Sequence, residues 1–110
     1  MPAVFSYGTL QQREVQLANY GRELDGQPDT LAGYRLGEIR IDDPQVVTLS
    51  GKSVHTIARP TANADDRVEG TLFELTDAEL EATDAYEVSA YSRIEVTLES
   101  GRPAWVYAAA

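Results

Sequence analysis

Glu87 is the residue in this sequence best suited to act as a base. It follows a short acidic stretch holding Glu81 and Asp84, and tyrosines flank it at positions 86 and 91. A carboxylate turned inward beside such rings would lose solvation. Its pKa would rise toward neutrality, where a general base works best. A solvated acid at the end of an acidic helix is the plainer reading of the same residues. The second candidate is the segment Tyr7-Gly8-Thr9-Leu10, where an apolar run stops and turns into a helix. A helix start exposes unpaired N–H groups and a positive dipole end, which can hold a carboxylate or polarise a carbonyl oxygen. Gly8 would let a ligand approach the backbone closely. The same four residues also suit an ordinary strand–helix turn capped by Thr9.

Composition removes most other chemistries. There is no cysteine and one histidine, His55, so a thiolate nucleophile, disulfides and multi-histidine metal sites are excluded. No cofactor is expected. His55 has no evident partner in sequence and is expected to be a packed or surface residue. The net charge of −9 argues against nucleic acid. No apolar run reaches the roughly 20 residues of a membrane span, and no signal-peptide pattern opens the chain. A cytoplasmic location is therefore expected, with no membrane partner. Oligomeric state is not legible.

The length of 110 residues fits one domain, 1–110. A buried strand is expected over residues 2–7. A helix should follow, capped by Thr9 and Gln12 and ended by Gly21. Residues 22–30 and 59–67 are polar and are expected to be loops. Residues 31–41 suggest a strand bent at Gly33 or Gly37. Asp42-Asp43-Pro44 is a turn signal, and residues 46–49 and 53–58 suggest a hairpin. Residues 68–75 suggest a strand whose Gly70 marks a bulge or a close backbone approach. Thr76 and Glu79 form a capping box, with Leu75 and Leu80 as a hydrophobic staple, so a helix runs from 76 to about 84. Ile94, Val96 and Leu98 alternate with Arg93, Glu95 and Thr97, which predicts a strand over 91–98. Ser100-Gly101-Arg102 turns into a last strand over 103–108, where Trp105 and Tyr107 fit either core or pocket wall. Arg93 is expected in a surface ion pair or closing a pocket. The fold class is α+β: a small, mostly antiparallel β-barrel with short flanking helices.

Five blocks in order resemble the γ-glutamylcyclotransferase-like family, which includes γ-glutamylamine cyclotransferases and avirulence-induced plant proteins. They are residues 4–10, 31–36 (Leu31-Ala32-Gly33-Tyr34-Arg35-Leu36), 68–75, 84–93 and 104–107. The resemblance implies cyclisation of a γ-glutamyl group to 5-oxoproline with release of an amine, without metal or covalent intermediate. It implies Glu87 as general base, and Tyr7, Gly8, Thr9 and Leu10 as the turn that holds the substrate carbonyl and carboxylate. Tyr91 and Tyr107 join these as candidate substrate-binding residues. The partner would be a small γ-glutamyl-amine or γ-glutamyl-amino acid. A non-catalytic member, keeping the pocket as a binding or interaction module, is the alternative, as is removal of a γ-glutamyl protecting group in a biosynthetic pathway. The sequence stops at Ala110, just after the last strand, so the polar segments 22–30 and 59–67 are expected to rim the pocket mouth. Demands on the glutamyl half would then be strict and those on the amine loose.

Overall fold

Val4 and Phe5 are adjacent in sequence and both are about 1% exposed. Neighbouring strand residues point to opposite faces, so their strand is covered on both sides. In the computed structural model, which describes residues 1–110, that strand is β1 (Ala3–Ser6). It lies at the centre of a five-stranded sheet of order β2-β5-β1-β7-β6, where β2 is Gly26–Ala32, β5 Arg67–Glu74, β6 Tyr91–Thr97 and β7 Pro103–Ala109. The β1–β7 pair is parallel and the other pairs are antiparallel. A second sheet pairs β3 (Tyr34–Arg40) with β4 (Val54–Pro60). Three helices complete the fold: α1 (Arg13–Tyr20), α2 (Pro44–Ser50) and α3 (Asp77–Tyr86). The class is α+β as expected, and its strands form two sheets rather than a closed barrel. No helix is long and apolar enough to cross a membrane.

The core divides along the central sheet. Phe5, Leu31, Val68, Leu72 and Val106 pack together with Leu98 and Ala104. Val4, Phe73, Leu75 and Tyr107 form a second cluster, which Tyr20, Leu24 and Leu80 join. Leu10, Val15, Ile41, Val46 and Tyr86 form a third, drawn largely from the helices. Gly70 is a close approach, as its position suggested. A Cβ there would sit 2.4 Å from the Ser6 carbonyl oxygen and 2.7 Å from the Phe5 ring. Glycine is therefore what lets β5 lie against β1 at this point.

Three stretches differ from expectation. Residues 26–30 are not loop but part of β2, paired along its length from Gly26 opposite Phe73 to Ala32 opposite Arg67. This is an edge strand, so it tolerates Pro28 and carries polar side chains without an alternating signal. Gly33, with φ of 81°, ends it, and the proposed single strand over 31–41 is split there. Residues 46–49 are helix, not the first half of a hairpin. Asp43 accepts from the Gln45 N–H at 3.0 Å, Pro44 opens α2, and Gly51 closes it in the left-handed conformation. A cap and a helix-opening proline outweighed the β-branched pair Val46-Val47. Thr9 does not cap α1 either. Residues Thr9–Gln11 form a separate 3-10 turn, and α1 starts after Gln12 without a side-chain cap.

Candidate functional site

The turn after β1 carries Tyr7 to Leu10 beneath the end of α3, and β4, β6 and β7 close around them. The resulting pocket has an empty volume of about 360 Å³, mouth included. Its wall contains Tyr7, Gly8, Thr9, Leu10, Glu87, Tyr91 and Tyr107, together with Phe5, Ser6, His55 and Thr56. Every candidate site residue of the sequence thus lines one cavity. Residues 22–30 and 59–67 contribute nothing to it, so they do not rim the mouth as expected.

Glu87 owes its position to α3. The capping box at the start of that helix is complete: the Thr76 hydroxyl accepts from the Glu79 N–H at 3.1 Å, and Glu79 accepts from the Thr76 N–H at 2.9 Å. Ten residues later the helix ends, and the Glu87 N–H donates to the Thr83 carbonyl at 3.0 Å. Glu87 has no ion-pair partner. Burial pushes its carboxyl up to about 7. The negative end of the helix dipole acts in the same direction. A carboxyl at this value holds a useful fraction of base near neutral pH and still binds a proton firmly enough to pass it on.

Tyrosines fix the wall. The Tyr7 hydroxyl donates to the Tyr107 carbonyl at 2.5 Å and accepts from the Ala58 N–H at 2.9 Å, joining β7 to β4. The Tyr91 hydroxyl donates to the Thr56 carbonyl at 2.6 Å. The Tyr107 hydroxyl donates to Asp84 Oδ1 at 2.5 Å. Thr9 and Tyr86 share a hydrogen bond of 2.8 Å between their hydroxyls, which ties the turn to α3. Burial pushes the phenols of Tyr7, Tyr91 and Tyr107 upward, so all three keep their protons. The N–H groups of Thr9 and Leu10 open the 3-10 turn, where no earlier carbonyl of the helix can accept from them. Buried Gln16 steadies this turn, donating to the Leu10 carbonyl at 2.8 Å and accepting from the Leu24 N–H at 2.9 Å.

His55 and Thr56 were not expected here. They lie on the strand after α2, which was correctly anticipated as a strand but paired with the wrong neighbour. His55 is packed, as expected, but in the pocket wall. Its Nε2 lies 2.9 Å from the Lys52 carbonyl and 3.2 Å from Ser50 Oγ. The carbonyl can only accept, so Nε2 carries a proton and cannot take one from Ser50. In this arrangement His55 is not placed as a base for Ser50, whose hydroxyl donates to the Val46 carbonyl. In sequence Asp84 reads as part of an acidic run and of the 84–93 block, without a role; its bond from the Tyr107 hydroxyl and its ion pair with Arg93 at 2.9 Å place it behind Tyr107. Trp105 stays outside the pocket wall, and the Arg93 guanidinium lies 4.4 Å above its ring.

A family model described as gamma-glutamyl cyclotransferase, AIG2-like, matches residues 4–110. Among curated proteins no sequence matches significantly. Solved structures share the fold at low identity. A solution structure of an Arabidopsis thaliana protein is 23% identical with a TM-score of 0.72, over 98% of this chain and 68% of that one. An uncharacterized protein from Pyrococcus horikoshii is 17% identical with a TM-score of 0.67, over 99% and 78%. A structure titled gamma-glutamyl cyclotransferase is 15% identical with a TM-score of 0.75, over 99% of this chain and 66% of that one.

Proposed function

Because this chain belongs to the gamma-glutamyl cyclotransferase, AIG2-like family, we propose that it converts a γ-glutamyl-amine or γ-glutamyl-amino acid to 5-oxoproline and the free amine. One observation carries this reading: an unpaired, desolvated Glu87 shares a small pocket with the backbone turn Tyr7–Leu10. The reaction needs a base and an oxyanion site, and the nucleophile comes from the substrate itself.

Glu87 takes a proton from the substrate α-ammonium. The freed nitrogen attacks the γ-carbonyl carbon and forms the C–N bond of a five-membered ring. Charge develops on the carbonyl oxygen, and the Thr9 and Leu10 N–H groups are the donors available to it. The intermediate collapses as the bond to the leaving nitrogen breaks: protonated Glu87 gives its proton to that nitrogen, and the ring nitrogen passes its second proton through Glu87 to the amine, which departs as an ammonium and leaves the neutral lactam. The five-atom span between amine and carbonyl makes the attack intramolecular. Good alignment of this kind supplies on the order of 7 kcal/mol or more. Tyr7 holds the turn rather than reacting, since its hydroxyl already donates to Tyr107 and accepts from Ala58.

The test is release of 5-oxoproline from a panel of γ-glutamyl compounds bearing different amines, with β-aspartyl counterparts as controls. Turnover should appear with some γ-glutamyl members and with no β-aspartyl one, since that would require a four-membered lactam. No release from any panel member would leave the pocket as a binding module.

A further inference from the structure

The three pocket phenols have something in common: each hydroxyl proton is already committed to an acceptor in the protein. Tyr7 donates to the Tyr107 carbonyl, Tyr91 to the Thr56 carbonyl and Tyr107 to the Asp84 carboxylate. None of these acceptors can donate in return, so the direction of each bond is fixed. A phenol has one proton, and its remaining lone pairs can only accept. Tyr7 already accepts from Ala58, which leaves Tyr91 and Tyr107 as acceptors available to a ligand. Glu87 adds a carboxylate without a partner, and no lysine or arginine lines the pocket. Arg93, the nearest cation to Tyr107 in this network, is bound to Asp84 and stacked on Trp105. This end of the cavity is therefore rich in acceptors and holds no fixed cation.

We propose that the tyrosine end of the pocket is an ammonium site, in which the phenol oxygens of Tyr107 and Tyr91 accept hydrogen bonds from a ligand ammonium beside Glu87, and in which Asp84 is the positioning residue that makes Tyr107 an acceptor. It rests on the cyclotransferase reading for the identity of the ligand group, the substrate α-ammonium. Asp84 never touches that group. It withdraws the Tyr107 proton from the pocket, and Arg93 holds Asp84 in place. Two N–H bonds of the ammonium would rest on phenol oxygens while the third proton faces Glu87. Loss of that third proton would leave the nitrogen lone pair on the side of Glu87, away from the tyrosines.

L-Glutamate and glutarate are the probes, because they share both carboxylates and differ in the ammonium. Their affinities are measured by calorimetry near pH 8 for the wild-type chain, D84N and D84A. L-Glutamate should bind the wild type at least tenfold more tightly than glutarate. Tyr107 and Arg93 both use Asp84 Oδ1, an atom that asparagine retains as an acceptor. D84N should therefore keep the preference within about twofold. D84A carries the same charge change but returns the phenol proton to the pocket. It should cut the preference at least fivefold, weakening L-glutamate and tightening glutarate. A structural defect would instead weaken both ligands together. Equal behaviour of D84N and D84A, parallel weakening by D84A, or no preference in the wild type would each overturn the proposal. If D84A fails to fold, Tyr107→Phe takes its place, since it removes the acceptor and keeps the Tyr107 carbonyl for Tyr7. A full preference in that variant would also overturn the site. These readings are independent of turnover. An intact preference without 5-oxoproline release would sink the reaction alone, and release without preference would sink the ammonium site alone.

Discussion

The two ends of α3 hold two glutamates in opposite states. Glu79, in the first turn, is held down to about 2, chiefly by its hydrogen bonds to Arg22 and also by the Thr76 N–H. Glu87, just past the last turn, is pushed up to about 7 by burial with no cation to offset it. The dipole of the same helix favours the first charge and opposes the second. One carboxylate therefore stabilises the fold and the other costs stability in its charged form. The helix start anchors the element; its end projects the proposed base into the pocket. A desolvated carboxyl beside a satisfied one is the pattern that the proposed function requires.

Exchanging Glu87 for glutamine tests this contrast most severely. E87Q keeps the shape and removes the base, so 5-oxoproline release should fall by about 10² to 10⁴. Near-normal turnover, measured with the compound most active on the wild type, would make the two ends equivalent.

The next test sharpens the same contrast through stability. Glu87 has its ordinary value of 4.5 in the unfolded chain and about 7 in the fold. Below 4.5 it is neutral in both states and costs nothing. Above 7 it is charged in both, and the fold bears the whole desolvation cost. Stability attributable to Glu87 thus declines as pH rises from 4.5 to 7. E87Q should match the wild type near pH 4 and exceed it by about 3 kcal/mol near pH 8 in urea unfolding. The base is active only when deprotonated, so wild-type kcat/KM should climb with pH through about 7. A flat profile from pH 5 to 8 would mean that burial does not control this group.

The difference between the two ends also explains what could be seen in the sequence. The Thr76–Glu79 box is a local pattern, three residues apart, and it predicts the helix, whereas the state of Glu79 depends chiefly on distant Arg22. Gly70 was legible for a similar reason, since a lone glycine in a strand signals close approach. The resemblance of residues 84–93 singled out Glu87, but its environment is made by residues far away in sequence. Tyr7 lies 80 positions earlier and His55 comes from a second sheet. The misread stretches failed for physical reasons. β2 is an edge strand defined by its backbone pairing with β5 rather than by apolar alternation. In α2 the cap at Asp43 and the proline at 44 decide the structure, where the valine pair suggested a strand. The protons of Tyr91 and Tyr107 depend on partners at Thr56 and Asp84, which no spacing rule supplies.

The smallest expected effect lies at the anchored end. Thr76→Ala removes the hydroxyl that accepts from the Glu79 N–H, and it leaves the Arg22–Glu79 ion pair in place. Loss of such a cap costs about 1 kcal/mol. Arg22→Ala acts on the other partner, and the exposed Arg22 side chain is screened by solvent, so its loss should lower stability less than loss of the cap. Glu79 should also give the stability curve an acid limb. Its stabilisation is complete above 4.5, its ordinary value, and is lost as pH falls toward about 2. In Arg22→Ala that limb should shift toward the ordinary carboxylate range, visible as earlier acid unfolding. Turnover should stay within about twofold in both variants under conditions where the protein remains folded, because neither residue lines the pocket. A large activity loss in folded Thr76→Ala would show that the start of α3 controls the aim of Glu87, and that anchoring and reactivity are coupled through the helix rather than separated along it.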